Sequence, residues 1–533
     1  MGFTLRREIV PLLLLAILIQ VPRAFGAGKQ VQLEAMAQAK FGDLSPCEQK
    51  LVVAVPTGES VFCGTIPKAD DPANDPARAD QWGHEREVRA TLIRWLCADR
   101  EAKLFVDPRG IQLTGAKVLG NLELDFVKVP FRIKIVNSAF TGRIHLMYAE
   151  VPELNLSSSR TKVIQADELV VPGGVLLEDG FQAEGEVDLM RAKLGAQLNC
   201  RGGHFDNPGG LALRADGLHA TDVLLYKGFF ARGEVNLERA RLNGDLVCDG
   251  GTFLNAKGNA INADGIVASE ILMREGFRAD GPVKLQKARV SGSLDLIGGL
   301  FTALDLREAE VGNLKDSEAS WPPAGKLLLD GFVYGRIAEG PDDPRARERW
   351  LALQPEFSQQ PYEQLAKVLE QEGDYAGGRH VKIEMEDRSL LEGPINDLKW
   401  YWRIPAKLWS LVLKVTIGYG YAPWRALYWA IAIVMLGTYL FGRGMKYGVI
   451  APANEKSESH FPFSAFWYSL DAFLPVVNLR QHDHWVPKPH HVTVWGIRYD
   501  EFLRRYLWFH ILLGWTITTL FVAGVTGVLK HGL

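Results

Sequence analysis

Six phenylalanines, Phe181, Phe205, Phe229, Phe253, Phe277 and Phe301, recur every 24 residues without slippage. A fixed period of that length marks a solenoid, in which each coil repeats one cross-section and equivalent side chains stack. Further ladders keep the register: Leu189, Leu213, Leu237, Ile261 and Leu285; Val187, Leu211, Val235 and Val283; Leu194, Leu218, Leu242, Ile266 and Val290; Cys200, Leu224, Cys248, Leu272 and Leu296. Val187 and Leu189 alternate with polar neighbours, the two-residue period of a strand, and glycines such as Gly202, Gly228 and Gly250 punctuate the corners. A helical solenoid would show a 3.6-residue period and few glycines. The expected fold class is mainly β: a parallel β-helix of 24-residue coils, with a secondary 48-residue similarity between 180–189 and 228–237. Weaker echoes extend it over 110–335, room for roughly nine coils and a rod roughly 40 Å long.

The remainder of the 533 residues reads as flanking elements and a membrane domain. Residues 1–26 look like a signal peptide, with Arg6 and Arg7 ahead of an apolar run and small residues at Ala24 and Gly26. An uncleaved anchor is the other reading. The segment 27–109 is an N-terminal helical cap region, in which Val88, Leu92, Trp95 and Leu96 make one helical stripe that would plug the first coil. In an oxidising compartment Cys47 and Cys63 could pair. Cys200 and Cys248 lie two coils apart, about 9–10 Å, too far for a disulfide. Residues 345–395 suit a helical hairpin turning at Gly373, and 396–533 a membrane domain with spans near 424–442 and 506–529. Ahead of the first span, 405–421 suits a helix lying in the membrane interface, and 461–479 a re-entrant or surface-lying segment. The Lys and Arg distribution does not decide the orientation.

Motifs with chemistry are few. Net charge is −3, and nothing marks a nucleic-acid surface. Thr416-Ile417-Gly418-Tyr419-Gly420-Tyr421 spells a potassium-filter string, but it precedes the first span instead of lying between two, which favours a turn. His482, His484, His490 and His491 are the candidate metal ligands, without a fixed motif spacing. Asp216 and Asp264 share a solenoid column, with Ala240 at the position between them, and could form a carboxylate pair or simply turn the chain. No catalytic constellation, cofactor-binding motif or redox thiol pair is recognised, so no cofactor is expected.

The segments 88–97, 115–117, 418–427 and 468–477, together with the coils ending in Phe, resemble a family of bacterial membrane proteins of unassigned function. That family has a pentapeptide-repeat-like β-solenoid and a C-terminal membrane domain, and its members are sometimes labelled membrane-associated oxidoreductases. The coil here is longer than a regular pentapeptide coil. The resulting expectation is a multi-pass inner-membrane protein with a periplasmic solenoid, acting as a scaffold or binding protein of the bacterial envelope. Its partners would be membrane lipid, a protein or glycan on the solenoid surface, and further copies of itself. A channel-like two-span protein and a membrane-associated oxidoreductase are the alternatives.

Overall fold

The computed structural model describes residues 28–64, 71–453, 462–488, 493–494 and 497–526. The expected signal segment lies outside them. The chain divides into two compact units, Met1–Gln364 and Leu365–Leu533.

The first unit is a parallel β-solenoid of about ten turns, built on two long sheets of 17 and 16 strands. A typical coil contributes four two-residue strands, Gln182–Ala183, Val187–Asp188, Lys193–Leu194 and Leu198–Asn199. The strands are short because the chain turns between them, for instance at Glu168, Arg191, Gly217, Arg239, Gly265 and Lys287, all at positive φ.

The interval of 24 is not a uniform backbone repeat. Successive pairings run from Val187 to Leu213, Val235, Ile261 and Val283, steps of 26, 22, 26 and 22 residues. On the other sheet they run from Leu198 to Val223, Leu246, Ile271 and Leu294, steps of 25, 23, 25 and 23. Two of the expected ladders therefore exchange members. Leu213 stands beside Val187 instead of Leu189, and Ile261 beside Val235. Leu224 pairs with Asn199, leaving Leu225 level with Cys200. The longer coils hold their extra residues in matching loops, where the side-chain amides of Asn207 and Asn255 donate to the carbonyls of Leu211 and Asn259, both at 2.8 Å.

The phenylalanine rings stack in spite of this unevenness. Ala183, Phe205, Ala231, Phe253, Ala279 and Phe301 form one backbone column. Phe181, Phe229 and Phe277 thus start two residues earlier, level with Gly203, Gly251 and Gly299. Each glycine clears space for the ring that follows it: a Cβ on Gly203, Gly251 or Gly299 would lie 2.9, 2.8 or 2.7 Å from Cε2 of Phe205, Phe253 or Phe301. The rings converge into a single file with centroids 5.1 to 5.5 Å apart. The aliphatic columns alternate likewise. Leu189, Ala192 and Leu194 in one coil meet Ala215, Leu218 and Ala220 in the next, then Leu237, Ala240 and Leu242, then Ala263, Ile266 and Ala268, all buried. Large against small lets adjacent layers interdigitate without voids.

Both ends of the stack are closed. At the N-terminal end lie α1 (28–41), α2 (Pro46–Ala54) and α3 (Ala90–Ala98), with Leu92, Trp95, Leu96 and Cys97 of α3 buried. Val88 and Arg89, expected within the helix, belong to a strand, Glu87–Arg89, that pairs with Lys117–Leu119. Glu48 ties this strand to α2 by accepting from the Arg89 backbone N–H and guanidinium, each at 2.8 Å. Cys47 and Cys63 form a disulfide, while Cys97, Cys200 and Cys248 are free and buried. Burial pushes the Cys97 thiol up to about 12, so these thiols are inert packing groups. At the C-terminal end Arg347 of α4 (Pro344–Leu351) reaches Asp316 through two hydrogen bonds of 2.8 and 2.7 Å. From α5 (Gln359–Gln371), Gln360 accepts from the Gly331 N–H and donates to the Phe332 carbonyl, and Gln364 donates to the Tyr334 carbonyl. These glutamines occupy backbone groups that an open sheet edge would leave free to recruit another strand.

The second unit is helical: α6 (Tyr375–Glu392), α7 (Pro394–Asp397), α8 (Trp400–Thr416), α9 (Arg425–Lys446), α10 (Ala465–Phe473), α11 (Gln481–His484) and α12 (Tyr499–Val525). Two of them, α9 and α12, are long and apolar enough to cross a membrane. The short α10 packs against both at mid-length, where Ser469 donates to the Val434 carbonyl at 2.8 Å.

Candidate functional site

One outward column on the 16-stranded sheet, followed through its pairings, reads Glu123, His145, Gln165, Asp188, Arg214, Asn236, Asn262, Lys284 and Asp305. Nine consecutive coils each present a hydrogen-bonding side chain, at about 4.8 Å spacing. The matching column on the other sheet is interrupted by Leu176, Leu224, Val247 and Leu272. The column ends at Leu328, which pairs with Asp305; an uninterrupted polar run over nine coils is therefore a property of one face.

Within it Asp188 is 7% exposed. Its Oδ1 accepts from the Met190 N–H at 2.9 Å and its Oδ2 lies 3.3 Å from Arg214. The Arg214 Nε also donates to Asp216 at 3.1 Å. Loss of water raises the Asp188 carboxyl to about 6, with the charges of Asp167 and Glu186 adding to the rise while the Met190 N–H and Arg214 oppose it. Burial likewise raises Glu186, Glu234 and Asp264. The face thus holds partly dehydrated carboxylates beside fixed cations and amides, groups that gain when a ligand supplies the donors that water does not.

The raised Asp188 value has a signed consequence. The folded carboxyl holds its proton more tightly than the unfolded one. Its contribution is fully present below the unfolded value of about 4 and is lost as pH rises through about 6. Asp188→Asn, which keeps an acceptor for Met190, is expected to stabilise the surrounding coils at neutral pH by on the order of 1–2 kcal/mol and to flatten the slope between pH 4 and 7. Hydrogen exchange of the 182–199 segment reads this, and an unchanged slope would show a well-hydrated carboxylate.

Asp216 and Asp264 do share one corner column, but Glu238 stands between them, not Ala240, because the coils are unequal; Ala240 is buried in the core. Each is engaged locally, Asp216 with Arg214 and Asp264 with the Gln286 N–H at 2.8 Å. The same corner carries Phe126 and Tyr148 at φ 60° and 55°, their rings stacked at 5.1 Å and 6° and both exposed. Sequence reasoning missed the polar column, because its members sit at intervals of 20 to 26 residues, 26 and 22 alternating from Asp188 to Lys284, and fall out of line in a 24-residue alignment.

Of the candidate metal ligands, His482 and His484 lie on α11, and His490 and His491 fall outside the described residues. Among the described residues no group of three or more His, Cys, Asp or Glu side chains is placed to hold a metal.

The filter-like string forms a single 3-10 turn, Gly418–Gly420, with Tyr419 at φ 52° and buried. The Tyr419 hydroxyl donates to Asp387 of α6 at 2.8 Å and lies 2.7 Å from the Ser410 hydroxyl of α8, while Lys414 reaches Asp387 at 2.7 Å. The string is a clamp between two helices. His510 of α12 is fully buried; its Nε2 donates to the Ser469 carbonyl at 2.9 Å and its Nδ1 accepts from Tyr506 at 3.2 Å. The Nε2 contact fastens α10 to α12, while Tyr506, one turn earlier on α12 itself, holds the ring in place. Comparison of the chain with protein-family models, with curated proteins and with solved structures finds no match.

Proposed function

We propose that this chain is a membrane-anchored scaffold or binding protein of the bacterial envelope, whose solenoid presents the Glu123–Asp305 column to an extended, hydroxyl-rich glycan. The reading places α9 and α12 in the inner membrane and the solenoid in the periplasm. The unbroken polar column carries it. Amide, carboxylate and guanidinium groups repeated once per coil match a polymer that offers hydroxyl donors and acceptors along its length. A protein partner would instead be met by an apolar or aromatic interface core, and Asp188, Arg214, Asn236 and Asn262 supply none. The stacked Phe126–Tyr148 pair at one end of the face adds an apolar edge for a sugar ring.

The test is titration of the full-length protein in detergent with soluble peptidoglycan fragments and envelope polysaccharides. Binding is expected to fall at least tenfold, about 1.4 kcal/mol, in Arg214→Ala/Asn236→Ala and to survive Leu224→Ala/Val247→Ala on the other sheet. A protein captured through Arg214 and Asn236 would replace the glycan; binding indifferent to both pairs would remove the face from function. A channel-like role is the second reading, favoured by the seating of α10 between α9 and α12, and ion flux in proteoliposomes is its readout.

A further inference from the structure

Helix α8 is fixed on one side and bare on the other. Its inner side is held through Ser410, Leu413 and Thr416, all buried, and through the contacts of Ser410 and Lys414 with Tyr419 and Asp387. Its outer side exposes Trp400, Ile404, Leu408, Trp409, Leu411 and Val415, with Trp400 77% exposed. Lys399, Arg403 and Lys407 follow at four-residue intervals along one flank and are exposed. Arg403 donates to the carbonyls of Leu398 and Asn396, whereas Lys399 and Lys407 make no ion pair among the described residues. Between Leu398 and Pro452 the sequence has no Asp or Glu at all.

The bare face is continuous with that of α9. The Trp429 indole donates to the Val415 carbonyl at 3.4 Å, and Trp424, Leu427, Tyr428 and Trp429 are exposed beside it. Aromatic residues at this density, on a helix lying beside the first turns of a span, suit the headgroup level of a bilayer. Asp397 stands two residues before Lys399, but neither Lys399 nor Lys407 is ion-paired among the described residues, so both are free to meet an outside anion.

We propose that α8 is an in-plane lipid-recognition element that selects anionic phospholipid headgroups through Lys399 and Lys407 while its tryptophan and leucine face enters the acyl boundary. The inference rests on reading α9 and α12 as spans, and is independent of what the solenoid binds. Each lysine near an anionic surface contributes about 1 kcal/mol, roughly a fivefold preference.

The experiment places an environment-sensitive maleimide dye at Leu408→Cys in the full-length protein, the free cysteines Cys97, Cys200 and Cys248 being buried. The protein is reconstituted into phosphatidylcholine vesicles doped with equal mole fractions of shallow spin-labelled phosphatidylglycerol or phosphatidylcholine. Quenching by the anionic probe is expected to exceed that by the zwitterionic one by up to about 25-fold at low salt, and Lys399→Gln/Lys407→Gln, which leaves Arg403 in place, should cut that ratio at least about fivefold while quenching itself persists. A dye quenched by neither probe would take α8 off the membrane. Equal quenching in the unsubstituted chain, or a preference undiminished by the double substitution, would equally overturn the proposal.

Discussion

Phe253→Ala is expected to loosen the solenoid by roughly 3–5 kcal/mol. The ring lies between those of Phe229 and Phe277, each 5.3 Å away, and fills space that Gly251 leaves open. Gly251→Ala attacks the same arrangement from the other side. Its new Cβ would sit 2.8 Å from both the Phe253 ring and the Leu225 carbonyl oxygen, an overpacking cost of about 1–3 kcal/mol. Combined, the two should cost less than their sum, because the alanine methyl enters room the ring has vacated. Hydrogen exchange over the coils between 223 and 283 provides the measurement. Strict additivity would show that the glycine serves the backbone alone.

The second large effect belongs to the C-terminal closure. Arg347 and Asp316 are both almost without solvent contact, Trp321 donates to Asp316 at 2.7 Å, and Arg347 also donates to the Pro341 carbonyl at 2.6 Å. Arg347→Met leaves a buried carboxylate with one indole for company, and a loss of roughly 3–5 kcal/mol is expected. Arg347→Met/Asp316→Leu removes both charges and should recover most of it. The readout is protection of the last coils, 300–339, together with the onset of aggregation once strand edges are uncovered. If the double variant proves as unstable as the single, the pair holds the closure by geometry and not by mutual neutralisation.

The solenoid was legible because hydrophobic columns are a one-dimensional signal, and a buried Phe repeats wherever the cross-section does. What could not be read was the register. Ring positions recur at 24 because Phe205 and Phe253 lean back over glycines, while the backbone beneath them advances by 26 and then 22. Aligning on the rings therefore displaced Leu213 against Val187, hid the polar column through Asp188 and Arg214, and put Ala240 where Glu238 stands. In the C-terminal helical unit, apolar length was enough to locate α9 and α12, the two helices long and apolar enough to cross a membrane. The role of Tyr419 was not legible, since a residue's partner 32 positions away leaves no local trace.

The alternation of bulky and slender layers imposes a parity on the central coils of the rod. Excising one coil from the centre would set Phe181-type layers against each other, ring to ring and alanine to alanine, with voids between. Excising two restores every contact. The central coils, from 181 to about 283, can therefore lengthen or shorten only in even steps, whereas towards the C-terminal end, where Leu285, Leu306 and Leu329 follow one another, the constraint lapses and single coils can be gained.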